Sequence, residues 1–339
     1  MYMKKTFLFI VLVAFPILAS AQASGGQIRR SNKISSPSRN KENRINYPQI
    51  KVLNESEKTC ELYFDVDKQK TCISRSKKGK YVIPAKVKGY TVVRIGDFAF
   101  SNCEISEVEI PNTITSIGKN AFGWCSNLKT IEIPNSVKKI GEYAFERCES
   151  LYSISIPNSE IEIGRSAFRF CYNLVSVQLS DNLKTIETGT FEDCKNLTTI
   201  NLPSATTFIG SHAFSGCAKL QSIIIPSKVK SIGPFSFSGC TSLSKVNISN
   251  GVFEIGENAF KYTGITSITL PNSVYSIGTN AFQDCQKLTK VISQIITPFP
   301  LASIGFNKTR NITLVVPIGT TKQYKYCGWD NYFSTILEQ

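Results

Sequence analysis

The stretch Asn120–Phe145, NAFGWCSNLKTIEIPNSVKKIGEYAF, contains one complete sequence repeat and the beginning of the next. Phenylalanine recurs at positions 100, 122, 145, 168, 191, 214, 237, 260 and 282, a step of 23 residues that shortens to 22 at the first and last intervals. Cysteine follows each Phe by three residues, except where Thr263 takes its place. A fixed step in the twenties is typical of a solenoid, in which each repeat buries its apolar side chains only by stacking on its neighbours.

Each repeat contains signals for two short extended segments. The pattern L-x-x-I-x-I-P predicts a strand with Ile131 and Ile133 inward and Glu132 outward, which Pro134 ends. The pattern V-x-x-I-G predicts a second extended segment, followed by a tight turn or short helix at Ala-Phe. Glycine recurs at the end of this segment, with Glu187 as the single exception, which indicates a backbone position with positive φ or close approach.

The N-terminal region has the composition of a leader followed by a spacer. Residues 1–21 combine Lys4 and Lys5, a short apolar core and an Ala19-Ser20-Ala21 cleavage site, so we interpret them as a signal peptide. The apolar core of twelve residues would span about 18 Å as a helix, too short to cross a membrane. Residues 22–58 are basic and polar, which predicts a flexible linker or, alternatively, an electrostatic contact with an anionic envelope or glycan.

The remaining chain divides into a cap, an array and a second cap. Residues 59–90 do not fit the repeat, and alternation around Asp67-Lys68 predicts a β-hairpin there. This hairpin would bring Cys60 and Cys72 together, which makes them disulfide candidates in an oxidising compartment. Residues 91–292 contain the repeats, and residues 293–339 are predicted to form the C-terminal capping unit.

The unit C-x-x-L-x-x-I-x-I-P-x-x-V-x-x-I-G-x-x-A-F, repeated from Cys103 to Phe282, resembles the leucine-rich repeat of the BspA type. The segment from Thr313 to Tyr324, with Gly328-Trp329 and Phe333, resembles the closing unit often found in that family. The resemblance implies a right-handed, curved, β-rich leucine-rich repeat solenoid with short strands and short helical turns. It also implies an exported binding protein, since members include adhesins for matrix proteins and other bacteria. The family has no fixed catalytic residues.

The outward strand positions form the first candidate binding surface. They are small and polar in the middle, acidic towards the N-terminus, and more basic or apolar towards the C-terminus. Such a broad, shallow sheet suits a protein partner better than a small molecule, although it is also compatible with a merely solvated face. The predicted sheet-face residues are Glu107, Glu109, Thr130, Glu132, Ser153, Ser176, Gln178, Thr199, Asn201, Lys245 and Asn247.

The loops after Phe form the second candidate surface. Trp124, Phe170 and Tyr262 share one column of the repeat, and Tyr172 lies close by. Exposed aromatic residues are favoured interface anchors and can stack on sugars, but they can equally pack between coils. These residues therefore define an alternative function, a glycan-binding module.

Other functional classes receive little support from the sequence. Half of the net charge of +14 lies in residues 1–58, so it does not indicate a nucleic-acid-binding domain. One Cys per repeat, without His nearby, is typical of a buried apolar column and not of a metal site, so no metal or other cofactor is predicted. His212 is the only histidine, so a Ser-His-Asp triad has no support and an enzyme is not predicted.

We therefore predict an exported leucine-rich-repeat protein that binds an extracellular protein through its sheet face and adjoining loops. A glycan ligand and an envelope structural role without a soluble ligand are the alternatives. The leader indicates a secreted, cell-surface or periplasmic protein, and the cleavage site followed by Gln22 fits a Gram-negative exporter. No later stretch is apolar and long enough to predict a membrane span.

Overall fold

The repeat folds into the predicted solenoid in the computed structural model, which describes residues 49–63, 78–301, 305–307 and 311–339. The solenoid has about 11 turns, with equivalent residues about 23 positions apart. Each full repeat provides a front strand from the L-x-x-I-x-I segment and a side strand from the V-x-x-I-G segment. The outward surface of the front strands is called the front face below.

The first five strands are β1 (Ile50–Asn54), β2 (Thr59–Leu62), β3 (Gly79–Val82), β4 (Lys86–Val87) and β5 (Tyr90–Ile95). The repeats follow, with even numbers for front strands and odd numbers for side strands: β6 (Ile105–Glu109), β7 (Ser116–Ile117), β8 (Thr130–Ile131), β9 (Lys139–Ile140), β10 (Ser153–Ser155), β11 (Glu162–Ile163), β12 (Ser176–Gln178), β13 (Thr185–Ile186), β14 (Thr199–Ile200), β15 (Phe208–Ile209), β16 (Ser222–Ile225), β17 (Ser231–Ile232), β18 (Lys245–Ile248), β19 (Glu254–Ile255), β20 (Ser267–Leu270), β21 (Ser276–Ile277) and β22 (Lys290–Ser293). The C-terminal elements are β23 (Thr313–Val316), helix α1 (Thr321–Tyr326), a 3-10 helix (Trp329–Asn331) and β24 (Thr335–Glu338).

Strands of successive turns pair in parallel, one repeat apart. In the front series Ser153 pairs with Ser176, and in the side series Ile140 pairs with Ile163. The front ladder is interrupted between β8 and β10, between β14 and β16, and between β18 and β20. The side ladder is interrupted between β11 and β13. These interruptions lie at different turns, so at each of them the other ladder is continuous.

Stacked phenylalanine rings form the centre of the core. All nine predicted rings are at most 1% exposed, and neighbouring rings are nearly parallel, with centroids 4.9 Å apart at Phe100–Phe122 and 5.6 Å apart at Phe168–Phe191. Phe306 adds a tenth ring 4.9 Å from Phe282, which the sequence analysis did not assign to the column. The predicted Phe, Ile and Leu core is therefore present.

The repeated glycine allows close approach of neighbouring turns. A Cβ atom on Gly141 would lie 2.6 Å from the backbone carbon of Gly118. The φ angle of Gly141 is not positive, so of the two predicted reasons for the column only close approach applies. Glu187 occupies this position in the turn of β13, and the side ladder is interrupted immediately before that turn. The Phe rings of these two neighbouring turns, Phe168 and Phe191, are also the most widely separated pair in the column.

The Ala-Phe segments form tight hydrogen-bonded turns, and no α-helix occurs among the repeats of the described part. Within one turn, the Ala144 N–H donates to the Gly141 carbonyl at 3.3 Å, and the Phe145 N–H donates to the Ala167 carbonyl of the next turn at 2.8 Å. Positive φ angles occur two and six residues after the glycine position, including Tyr143 and Arg147 at 56°. This backbone is a succession of tight turns with left-handed residues, so of the two predicted alternatives, a tight turn or a short helix, the repeats contain the tight turn.

The N-terminal hairpin differs from the predicted one. β2 pairs with β1 in antiparallel and with β5 in parallel, so both edges of the strand that contains Cys60 are occupied. The hairpin therefore includes Ile50–Asn54, and the predicted linker of residues 22–58 ends before this strand. Cys60 is buried and carries a free thiol. Cys72 lies outside the described residues, as do the predicted signal peptide and Asp67-Lys68.

The C-terminal residues extend the front ladder and cover the end of the core. β23 and β24 pair in parallel beyond β22. Tyr324 and Trp329 are fully buried, and the Trp329 indole donates a 2.9 Å hydrogen bond to the Phe299 carbonyl. The Tyr324 hydroxyl donates to the Ile295 carbonyl at 2.7 Å. These residues close one end of the described core, and the assignment of residues 293–339 as a separate capping unit stays a prediction.

Candidate binding surface

The front strands hold their outward side chains in two rows along the solenoid. Inward residues such as Ile154 and Val177 are buried, while the residues on either side of them are exposed, because successive side chains of a strand point to opposite faces. One row contains Glu107, Thr130, Ser153, Ser176, Thr199, Ser222, Lys245, Ser267 and Lys290, and the other contains Glu109, Glu132, Ser155, Gln178, Asn201, Ile224, Asn247, Thr269 and Ile292. All eleven predicted sheet-face residues are exposed and lie in these two rows.

The N-terminal end of the front face carries a network of ion pairs. The Lys80 ammonium lies 3.0 Å from a Glu107 carboxylate oxygen and 3.2 Å from one of Glu109. Hydrogen bonds to Glu107 and then Glu109 raise the pKa of Lys80. Lys80 was not among the predicted sheet-face residues, although Pro84 has the place of Pro111 and therefore aligns Lys80 with Glu107. Glu132, in the next turn, makes no ion pair among the described residues.

A shallow groove lies beside this network, at the interruption of the front ladder between β8 and β10. Its cavity volume is about 770 Å³. Ile131 and Ile133 in its lining are 6% and 7% exposed, so they form an apolar floor. Lys80, Glu107, Glu109, Thr130, Glu132, Ser153 and Ser155 supply charged and hydroxyl groups around that floor. The groove can therefore offer both hydrogen bonds and a small apolar contact.

Two of the predicted loop aromatics lie on either side of an arginine. The Arg147 guanidinium carbon is 4.6 Å from the centre of the Trp124 ring and 4.5 Å from that of Phe170. Arg169 lies 4.3 Å from the Phe170 ring centre and also forms an ion pair with Glu192, with Nε 2.8 Å from Oε2. Such contacts favour a fixed arrangement of the rings. Arg147 was not among the predicted loop residues, although it lies between Trp124 and Phe170 in the same column of the repeat.

The other two predicted aromatics are in different surroundings. Tyr172 packs against Phe170 at 5.9 Å between ring centres, and the Lys195 ammonium lies 4.9 Å from the Tyr172 ring. Tyr262 is four turns further along, where Lys261 lies 4.9 Å from its ring. Trp124 and Tyr262 are half-exposed, at 50% and 52%. The structure therefore brings Trp124, Phe170 and Tyr172 into one cluster, and Tyr262 forms a separate site.

The cysteine column is buried and its thiols donate hydrogen bonds. Cys125 donates to the Phe100 carbonyl at 3.0 Å, and Cys148 donates to the Phe122 carbonyl at 3.3 Å. Thr263 differs, because its hydroxyl donates to the Phe260 carbonyl of its own turn at 2.8 Å. Burial raises the pKa of Cys125 to about 12, so this thiol stays protonated at neutral pH. Among the described residues, no group of three or more His, Cys, Asp or Glu is arranged to hold a metal ion.

A family model described as BspA type Leucine rich repeat region matches the chain in six copies, over residues 93–221, 161–289 and 207–315. These overlapping matches cover more than half of the chain. The chain belongs to the BspA-type leucine-rich repeat family. This BspA-type protein thus has the fold of a scaffold that is typically non-enzymatic and that binds other proteins. Within the described residues, no helix combines the length and apolar character needed to cross a membrane.

Several solved structures are similar to this BspA-type protein. A leucine rich repeat protein of T. pallidum is 24% identical, with 73% of this chain and 91% of that chain covered and a TM-score of 0.45. A leucine rich cell surface protein of Faecalibacterium prausnitzii is 24% identical, with 85% and 70% covered and a TM-score of 0.41. A leucine-rich repeat protein of Bacteroides ovatus is 20% identical, with 86% and 98% covered and a TM-score of 0.43. No curated protein sequence matches the chain significantly.

Proposed function

We propose that this protein is an exported, adhesin-like binding protein that recognises host or bacterial proteins through its front face and the adjoining loops. The observation that carries this proposal is the pair of exposed, mainly short polar rows over a parallel ladder. Ser153, Ser176 and Thr199 follow each other in register on successive strands. Short side chains on paired strands lose little conformational entropy on binding, so they form a pre-organised surface.

The shape of the front face favours a macromolecular partner. Small-molecule sites are concave and mostly apolar, whereas the groove at β8 and β10 is shallow and has a charged rim. Protein interfaces use broad surfaces with about one hydrogen bond per 100–200 Å². The hydroxyl and amide groups of Ser176, Gln178 and Asn201 supply donors and acceptors for such an interface.

We place the protein outside the cytoplasm, either secreted or at the cell surface, with the periplasm as a further compartment. The support is the leader sequence and the family, not the structure. The eleven predicted sheet-face residues are the proposed contact set, together with the loops that carry Trp124, Phe170, Tyr172 and Tyr262. We propose that the protein is not an enzyme and needs no cofactor.

A binding screen against immobilised matrix proteins tests this function. Ser176→Arg with Thr199→Arg places two long charged side chains in the middle of the front face. We expect at least a ten-fold loss of affinity, about 1.4 kcal/mol. Thr207→Arg is the matched control, because Thr207 is exposed but lies next to the side strand β15. Equal binding by the front-face variant and the control would remove the front face from the proposal.

A second candidate function is glycan binding by the loop aromatics. The half-exposed rings of Trp124 and Tyr262 support it, because sugars stack on accessible aromatic faces. The contacts of Phe170 with Arg147 and Arg169 are unfavourable to it, since they occupy the ring of Phe170. Replacing Trp124 and Phe170 by Ser should abolish binding to a glycan array and leave binding to matrix proteins intact. Retained glycan binding would exclude the cluster of Trp124 and Phe170, and binding that also survives Tyr262→Ser would exclude this second function.

A further inference from the structure

The front face has opposite charges at its two ends. We define the acidic end as Glu107, Glu109 and Glu132, and the basic end as Lys245 and Lys290. The middle of the face, from Ser153 to Ser222, carries no charged side chain in either row. Because both ends belong to the same two rows, a single elongated partner can contact both of them.

The acidic end has three carboxylates and one paired cation, Lys80, so two negative charges remain on it. Lys80 contacts Glu107 and Glu109, which it approaches from the N-terminal side. Glu132 follows Glu109 in the same row, one turn further along, since the register pairs Val108 with Ile131. Like charges on neighbouring strands are destabilising, so a cation placed between Glu109 and Glu132 would relieve their repulsion.

The groove provides space for that cation. It extends from Glu109 and Glu132 to Ser153 and Ser155, across the interruption between β8 and β10. An arginine side chain lying in it can direct its planar guanidinium to the two carboxylates. The hydroxyl groups of Ser153 and Ser155 can accept its remaining N–H groups. This combination suits a protein side chain better than a compact inorganic ion, because the groove is long and has an apolar floor.

Among the described residues, no acidic side chain forms an ion pair with the lysines of the basic end. Lys245 and Lys290 are exposed, and neither forms an ion pair within the described part of the chain. Ser267 lies between them in the row, so the two ammonium groups are two turns apart. These lysines can therefore accept carboxylates of a partner at no cost to an existing contact.

The spacing of the turns sets the dimensions of the partner. Glu132 follows β8 and Lys245 begins β18, five front strands later, which at about 4.8 Å per strand is about 24 Å. Lys290 begins β22, seven front strands after β8, which corresponds to about 34 Å. An extended segment rises about 3.3 Å per residue, so about 7 to 10 residues would separate its basic and acidic groups.

We propose that the front face binds an elongated protein segment of opposite polarity, whose Arg or Lys residues lie at the acidic end and whose Asp or Glu residues lie at the basic end. This inference rests on the proposed function and specifies the partner of the same surface. A polyanion would also be attracted by the net charge of +14, but it would gain nothing from the acidic end. The carboxylates therefore distinguish the two kinds of partner.

Charge inversion at each end tests the proposal. The probe is a fluorescent peptide with two Arg residues, a spacer of about eight Gly and Ser residues and two Glu residues. Its binding to the full chain is measured by fluorescence anisotropy at about 0.15 M salt, where distant charges are screened. The first variant combines Glu109→Lys with Glu132→Lys, and the second combines Lys245→Glu with Lys290→Glu. We expect each to weaken binding at least ten-fold.

The variant that carries all four substitutions gives the decisive result. Its front face has the reverse polarity, and the peptide can turn round, so affinity should return to within about three-fold of the parent, because the spacing of the charges is unchanged. The control exchanges the exposed pair Lys139 and Glu162 on the side strands and should bind as the parent does. The proposal is overturned if the quadruple variant binds the peptide as weakly as the two double variants do. It is also overturned if only the lysine substitutions weaken binding, or if the parent protein does not bind the peptide.

The matrix-protein screen separates this inference from the proposed function. If Ser176→Arg with Thr199→Arg abolishes capture of a matrix protein while the charge inversions leave peptide binding unchanged, the front face binds proteins but not by polarity. If neither set of variants changes binding, both the function and the inference fail. Circular dichroism of every variant confirms that the exposed substitutions leave the fold intact.

Discussion

Replacing Phe168 by Ala tests whether the stacked rings hold the solenoid together. Phe168 is fully buried, and its ring lies 5.3 Å from that of Phe145 and 5.6 Å from that of Phe191. The substitution removes both ring contacts and leaves a cavity between two turns. Deleting a buried Phe side chain costs about 3–5 kcal/mol in the free energy of unfolding. We expect a loss in that range, since neighbouring turns cannot close the gap without breaking their ladders.

Urea unfolding followed by far-UV circular dichroism measures this loss. Phe253→Ala is a suitable control, because Phe253 immediately precedes the side strand β19, is 37% exposed and is not part of the central ring column. The control should lower the free energy of unfolding by less than about 1 kcal/mol, as expected for a partly exposed surface residue. If Phe168→Ala unfolds at the same urea concentration as the parent, the ring column is not the main source of stability and the packing argument is wrong.

Two further predictions concern buried polar groups. Ser236 occupies an alanine position, and its buried hydroxyl has no hydrogen-bond partner among the described residues, so Ser236→Ala should raise the free energy of unfolding by about 1 kcal/mol. Thr190→Ala at the equivalent position should lower the free energy of unfolding, because the Thr190 hydroxyl donates to the Glu187 carbonyl at 2.8 Å. If thermal unfolding shows Ser236→Ala to be the less stable of the two variants, this account is wrong. Burial raises the pKa of Cys125 and Cys240 to about 12 from a reference of 9.0. Their contribution to stability is therefore complete below pH 9 and is lost as pH rises towards 12, because only the unfolded state releases the protons. A pH series of urea midpoints measures this loss, and Cys125→Ala should reduce its slope; an unchanged slope would show that the thiol does not titrate as stated.

Much of the architecture could be predicted from the sequence, because the residue type that each structural position requires recurs in nearly every repeat. The positions of Phe145, Ile131 and Gly141 recur in nearly every unit, so their roles could be inferred without knowing any contact. Phe306 was missed because it follows Phe282 by 24 residues, outside the regular step. The hairpin was misplaced because the partner of Thr59–Leu62 lies on its N-terminal side, in a stretch with a basic and polar composition.

The candidate surface could be predicted only in part, because contacts between turns depend on backbone geometry as well as on which residues recur at equivalent positions of the repeat. The exposed rows followed from strand alternation, which is a local property. The ion pairs of Lys80 depend on the register between β3 and β6. The alignment of Pro84 with Pro111 indicates this register, but it does not show that the Lys80 ammonium reaches both Glu107 and Glu109. The position of Arg147 between two rings depends on a backbone with positive φ at Trp124, Arg147 and Phe170. Such angles are uncommon for these residue types, so composition gave no reason to expect them.

The placement of the ladder interruptions has a mechanical consequence. At each of the four interruptions the strand pairing of one ladder lapses, while the other ladder continues into the next turn. The Ala-Phe turns add a third series of backbone hydrogen bonds that crosses the same positions. The Phe145 N–H donates to the Ala167 carbonyl at the interruption between β8 and β10, and the Phe168 N–H donates to the Thr190 carbonyl at the one between β11 and β13. Separating two turns at any of these four positions must therefore break at least two series of backbone hydrogen bonds together. The interruptions consequently do not divide the array into pieces that could separate independently under tension.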